Sequence, residues 1–307
     1  MYRTQLVAIG FLLQWLAGSC LAQQLAVLYP QVREPYKQLF DAIVDGVREG
    51  YPGGVVVREL GKDEPDEQVL AWLKASRADA VLALGGRSAA VLSQLPPDFP
   101  VVVGAVMSGD DGHRSGISLN PDPQQLFDRL QLLQPAVKNI YVVFRQPADT
   151  RTLQQARAAA NARRLNLVEH PVDSVVELAQ QYRVVLKEMD PRRDALWVAH
   201  DGKLLDSSLM EQLLETAWQR ELLVFSSSLV DVKRGALFTL YPDNRAMGKQ
   251  LAKVVMTVQQ HPRAAAELQP VQTLLGAINM RTADHLSLGL SPSTRQLFSL
   301  IFPEGSR

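Results

Sequence analysis

The most restrictive feature of this chain is a rhythm. From Gln24 onward, short apolar runs of strand length alternate with longer stretches in which apolar residues recur every three or four positions. "QLAVLYP" precedes a helical stretch from about Glu34 to Glu49, and "GVVVREL" precedes "DEQVLAWLKASRA". "DAVLALGG" and "FPVVVGAVM" flank the helix "RSAAVLSQL", with "SGISL" as a fifth strand. Runs that are apolar at every position belong to strands covered on both faces, and strands separated by helices pair in parallel. The expected fold class is α/β.

The rhythm then restarts. "QQLFDRLQLLQPAV", "NIYVVFRQ", "TRTLQQARAAANARRL", "NLVEHPV", "VVELAQQYRVVLKEM", "DALWVAHD" and "SSLMEQLLETAWQRE" read as helices and strands in turn, followed by two strands, "LLVFSSS" and "GALFTLYP". Two such units joined at "SLNPDPQQ" predict two doubly wound lobes with parallel sheets, and 307 residues at 47% hydrophobic suffice for two cores. After the second unit come a long helix, "RAMGKQLAKVVMTVQQ", then "HPRAAAELQP", a strand "VQTLLGAIN" and a last helix "RTADHLSLG". If the chain crosses back at "YPDN", the long helix completes the first lobe and the last strand returns to the second, which makes three interlobe crossings. The expected division is 1–22 as an export signal, 23–118 plus 243–269 as one lobe, and 119–242 plus 270–307 as the other. Asn120, Tyr241, Pro242 and Asp243 are the expected hinge, since turn-forming residues around a rigid proline can absorb the dihedral change of closure.

Charge and cysteine usage narrow the function. Lys+Arg and Asp+Glu both number 32, so no net field favours nucleic acid or an anionic membrane surface. The start reads as a leader, with Arg3 ahead of an apolar run from Leu6 to Leu16 and then "AGSC" and "LAQQ". Cleavage after Ala22 would leave a chain starting at Gln23 in the periplasm; the rival is a lipoprotein signal that keeps Cys20, although Ala17 stands where a large aliphatic residue is usual. Cys20 is the only cysteine, so an intramolecular disulfide is excluded.

In parallel α/β sheets, ligands bind beyond the carboxyl ends of the strands, where loops and helix starts expose donors. That rule selects Tyr29 and Arg33 after the first strand, Gly86, Arg87 and Ser88 after the third, and Met107 after the fourth. From the second unit it selects Arg145, Gln146, His200, Asp201, Ser227 and Ser228. "LGGRS" could let a backbone approach an anion, with Ser88 capping the next helix and Arg87 adding a bidentate contact; an ordinary strand-to-helix turn is the alternative. His200 and Asp201 form a pair suited to general-base chemistry, but no GxSxG elbow accompanies them, and a polar loop explains them as well. Five scattered histidines, with no HExxH spacing, give no metal site, and no cofactor motif is present. The "SSS" of Ser226 to Ser228 either offers hydroxyls to a neutral polar ligand or caps the turn before Lys233 and Arg234.

At "VFSSS", "VKRGAL", the polar break at Asp243 and "GKQ", the sequence resembles the substrate-binding proteins of ABC transporters. Val224, Phe225, Ser227, Val232, Arg234, Gly235, Ala236, Leu237, Asp243, Gly248 and Gln250 carry the likeness, with Ile278, Asn279, Thr282, Ala283, Leu288, Gly289 and Leu290 near the end. The resemblance implies the type I periplasmic binding protein fold, in the branch that includes tryptophan- and tyrosine-binding members. It implies an exported, monomeric, non-enzymatic protein without a cofactor, which captures a small polar ligand such as an amino acid and delivers it to a membrane permease. Two departures bear on the ligand. Ser228 stands where members commonly carry an acid for an ammonium group, and "MSGDDGHRS" is shorter than the usual loop. A ligand sensor of the same fold that signals to a receptor or kinase is the alternative, and an enzyme using His200 and Asp201 a third; a DNA-binding regulator is disfavoured because no helix-turn-helix opens the chain.

Overall fold

The computed structural model describes residues 23–304, except 35, 97, 107–113, 147–149, 200–206 and 263–264. Cys20 and the leader, and with them Met107, His200 and Asp201, lie outside the described residues.

The first unit runs β1 (Gln24–Pro30), α1 (Tyr36–Gly50), β2 (Gly54–Leu60), α2 (Asp66–Ser76), β3 (Ala80–Leu84), α3 (Gly86–Val91), β4 (Val101–Val106) and β5 (Ser115–Ser118). The second runs α4 (Pro123–Leu133), β6 (Asn139–Arg145), α5 (Thr150–Ala162), β7 (Asn166–Val172), α6 (Val175–Glu188), β8 (Asp194–Val198), α7 (Ser207–Gln219), β9 (Leu223–Ser226), α8 (Leu229–Arg234) and β10 (Phe238–Pro242). The tail adds α9 (Asn244–Gln260), β11 (Leu268–Pro270), β12 (Leu274–Asn279), α10 (Met280–His285), α11 (Pro292–Arg295) and β13 (Leu300–Phe302).

One six-stranded sheet has the order β11-β5-β4-β3-β1-β2 with every pairing parallel. Because successive residues of a strand face opposite ways, β1 sends Leu25 and Val27 into the core under α1 and α9, and Ala26 and Leu28 into the core under α2 and α3. That double coverage is why the central strands β3 and β4 have no polar positions. The second sheet, β7-β6-β8-β9, is also parallel and is flanked by a β10-β12-β13 layer. Pro171 sits in β7, an edge strand, where a missing donor is tolerated. Phe127, Trp197, Phe225 and Phe238 tie the second unit together: Trp197 meets Phe127 edge-on at 5.5 Å, and Phe225 stacks on Phe238 at 5.3 Å.

The fold is thus the two-lobed α/β architecture expected from the rhythm, with four local differences. β10 pairs antiparallel with β12, because the chain leaves at the end of β10 and returns along its side. "VKRGAL" contributes a short helix, α8, before the turn at Gly235, whereas a turn alone was expected. "ELQP" supplies the unforeseen edge strand β11, three residues whose pattern is too short to recognise. Beyond the last expected helix the chain adds the short helix α11 and the strand β13, which pairs parallel with β12.

The chain passes between the sheets at 119–122, at Asp243 and at 271–273. The second and third passages hold each other: Asp243 N donates to the Thr273 carbonyl at 3.0 Å, and the Gln250 side chain of α9 accepts from Gln272 N at 3.1 Å and donates to the Pro270 carbonyl at 3.3 Å. The second passage is imposed by packing of α9 against α1. A Cβ at Gly46 would lie 2.0 Å from the Arg245 carbonyl oxygen, and one at Gly248 would lie 2.1 Å from that of Ile43. Two backbones come that close only where neither carries a side chain. Gly248→Ala is therefore expected to lower stability by about 1–3 kcal/mol in urea denaturation, as overpacking does. Gly54→Ala, whose Cβ meets nothing within 4 Å, is the control that should change little.

Across the same helix pair, Glu49 accepts from Arg245 and pairs with Lys249 at 2.8 Å. The hydrogen bond from Arg245, then that from Lys249, holds the Glu49 carboxyl down from 4.5 to about 2. A carboxyl depressed on folding contributes stability above its unfolded value, and the contribution disappears as pH falls through the folded value. Melting temperatures followed from pH 5 to about pH 2 should consequently fall less steeply for Glu49→Gln than for the parent protein.

Candidate functional site

Register places the carboxyl ends of β1, β2 and β3 at one edge, with Pro30 opposite Leu60 and Leu28 opposite Ala83. The corresponding edge of the second sheet carries Arg145 opposite Val172 and Ser226 opposite Val198. The described residues selected from the sequence lie at these two edges, but their side chains divide into two groups.

The first-unit residues are largely committed to their own lobe. Tyr29 is 4% exposed, stacks on Phe40 at 5.3 Å and donates to Glu59 at 2.9 Å, so its ring has no open face for a flat ligand. Burial, and secondarily the hydrogen bond to Glu59, pushes its hydroxyl up to about 12. Arg87 turns sideways to pair with Asp66 at 2.8 Å and to donate to the Glu64 carbonyl at 2.8 Å, clamping the β2–α2 loop. Ser88 does not cap α3. The cap position is Gly85, and Ser88 lies inside the helix, fully buried. Gly85 rather than Gly86 needs to be glycine, since its φ is +81° while the Cβ position of Gly86 is open. Arg33 is exposed and uses its carbonyl to accept from Tyr36 N.

The second-unit edge is richer in available donors. Arg145 is half-buried at the end of β6, and Gln146 beside it is exposed, its backbone N donating to the Val172 carbonyl. Ser226 is buried and donates to Asp231 at 2.6 Å, which fixes the turn out of β9. Ser227 accepts from Trp197 Nε1 at 2.9 Å, and Ser228 N donates to Ser226 Oγ at 3.0 Å. Ser228 occupies the cap position of α8 but makes no side-chain cap bond.

The hinge residues cluster at the passages. Asn120 N donates to Ser118 Oγ, Tyr241 shares a hydrogen bond with Ser299, and Asp243 caps α9 by accepting from Ala246 N at 3.0 Å. Pro242 closes β10 opposite Leu274. Two contacts, one between the units and one from α4 to the third passage, were not legible in the sequence. Arg151 of α5 donates to the Leu268 carbonyl of β11 at 3.1 Å, and Gln125 of α4 donates to that of Gln272 at 3.3 Å. Both depend on tertiary placement and leave no local pattern.

A cavity of about 440 Å³ beside α9 and β11 is lined by Val101 and Ser115, at the amino ends of β4 and β5, and so lies away from these edges. Among the described residues, no group of three His, Cys, Asp or Glu is placed to hold a metal, and no helix is long and apolar enough to cross a membrane. If the Asp243 cap steadies the second passage, Asp243→Ala should cost about 1 kcal/mol in equilibrium denaturation.

The profile of a family described as ABC transporter substrate binding protein matches residues 60–289. No curated protein matches the chain. Among solved structures, the ligand-free, open form of a Clostridium difficile substrate binding protein with adhesive properties aligns with a TM-score of 0.66 at 14% identity, covering 91% of this chain and 98% of that one. A Streptococcus pneumonia ABC domain in complex with L-Trp aligns at 0.56 and 21% identity, covering 91% and 99%. A conserved domain protein from Vibrio cholerae aligns at 0.57 and 18%, also covering 91% and 99%.

Proposed function

The chain belongs to the family of ABC transporter substrate-binding proteins, and on that premise we propose that it is exported, closes its two lobes over a small polar solute and presents the closed form to a membrane permease. The observation that supports this reading best is the bonding of the second passage to the third, through Asp243 N and the Thr273 carbonyl. Passages tied to one another act as a single hinge, so the lobes can rotate while each sheet stays intact. The lobes on this reading are 23–118 plus 243–269 and 119–242 plus 270–307.

Closure is a population shift. A ligand favours the closed form only through contacts it makes with both edges at once. Arg33 from the first lobe and Arg145, Gln146, Ser227 and Ser228 from the second are the contacts we assign, whereas Tyr29, Arg87 and Ser88 support the first lobe from within. Nothing in this scheme requires bond chemistry, and the protein acts as a carrier. Export would follow cleavage after Ala22.

A thermal-shift screen of the chain from Gln23 against amino acids, nucleosides, small carboxylates and sugars tests the reading. Aromatic amino acids belong in it because a structural neighbour holds L-Trp. A solute at one hundred times its dissociation constant should stabilise the protein by about 2.7 kcal/mol, and Ser228→Ala should weaken the effect. A flat response to every solute would count against solute capture.

A further inference from the structure

We infer that the captured solute carries a carboxylate or phosphate, and that Arg145 is the residue that selects it. This rests on the cleft reading above and deepens it.

The argument is an account of which charges at the strand ends are already neutralised. Among the described residues, most acids near these edges are occupied, and the exposed Glu34, Asp63 and Asp173 engage no cation. Asp66 pairs with Arg87, Asp41 and Glu59 with Lys37, and Asp231 accepts from Ser226. Asp122 and Asp243 cap α4 and α9. The cations are not all occupied in return. Arg145 is half-buried at the end of an inner strand, and no carboxylate or carbonyl among the described residues engages its guanidinium. A guanidinium partly withdrawn from water without a counter-charge is costly, and an incoming anion removes that cost with paired, charge-assisted hydrogen bonds.

The neighbouring groups are donors too. Ser227 already accepts from Trp197, so its O–H remains free to donate, and the Ser228 hydroxyl is not spent on its helix. β6 and β9 are separated only by β8, which puts Arg145 and the two serines roughly 10 Å apart at the standard strand spacing. An edge that offers a guanidinium at one end and hydroxyl donors at the other fits a solute with an anionic group and a second acceptor about that far away.

Titration calorimetry on the chain from Gln23 tests this with small mono- and dicarboxylates and phosphate monoesters, each paired with its neutral methyl ester or amide, and with amino acids and sugars alongside. The expected result is an anion that binds at least tenfold more tightly than its neutral counterpart. Arg145→Gln should weaken the anion by roughly ten- to hundredfold and the neutral form by much less. A variant melting curve close to the parent's separates this from loss of folding. Binding of a neutral or zwitterionic solute, with an affinity that Arg145→Gln leaves unchanged, would overturn the inference while leaving solute capture standing. Absence of binding by any probe would overturn both.

Discussion

At Gly248 the backbone of α9 comes so close to the carbonyl of Ile43 that no side chain fits between them, and much of the architecture depends on that approach. It seats α9 against the first sheet although the preceding strand, β10, belongs to the second, and so it forces the chain through the passage at Asp243. Once α9 is seated, Gln250 lies within reach of Pro270 and Gln272 and ties down the next passage. One close helix contact thus fixes two of the three connections. The ion pairs of Glu49 with Arg245 and Lys249 reinforce the contact at the surface, where they are worth less than the packing beneath.

The consequence for function is a division of labour along the strand ends. In the first lobe, Tyr29 and Arg87 are bonded to neighbours of their own lobe, and Ser88 is buried inside α3. In the second lobe, Arg145, Ser227 and Ser228 keep donors available. On the proposed reading, ligand contacts to the donor-rich lobe, rather than loop folding, drive closure. The interlobe hydrogen bond from Arg151 is made to a carbonyl, so it can break and re-form with water at little net cost.

The fold was legible because burial on both faces forces a sequence to be apolar at every strand position. Val81, Leu82 and Ala83 announce a central strand in any context, and all three are fully buried. β11 was illegible because three residues at a sheet edge carry no period, and its place is set by β5 rather than by its own composition. The passage after β10 could be read from Pro242 and Asp243, since a proline followed by a capping residue marks a strand giving way to a helix. The site was legible by position but not by side-chain direction. The rule about strand ends found Arg87 and Arg145 alike, yet only the structure shows that Arg87 is taken by Asp66 at the start of α2. Likewise "LGGRS" suggested a capping serine, whereas the positive φ falls on Gly85 and moves the cap back by three positions.

The measurement that bears most directly on this account is small-angle X-ray scattering of the chain from Gln23, recorded without ligand and with a saturating solute. If two lobes close on one hinge, the radius of gyration should decrease on saturation, and the long-distance shoulder of the pair distribution should contract. Identical scattering curves with bound solute confirmed in the same sample would contradict closure and, with it, the proposal that the two strand-end edges form one site.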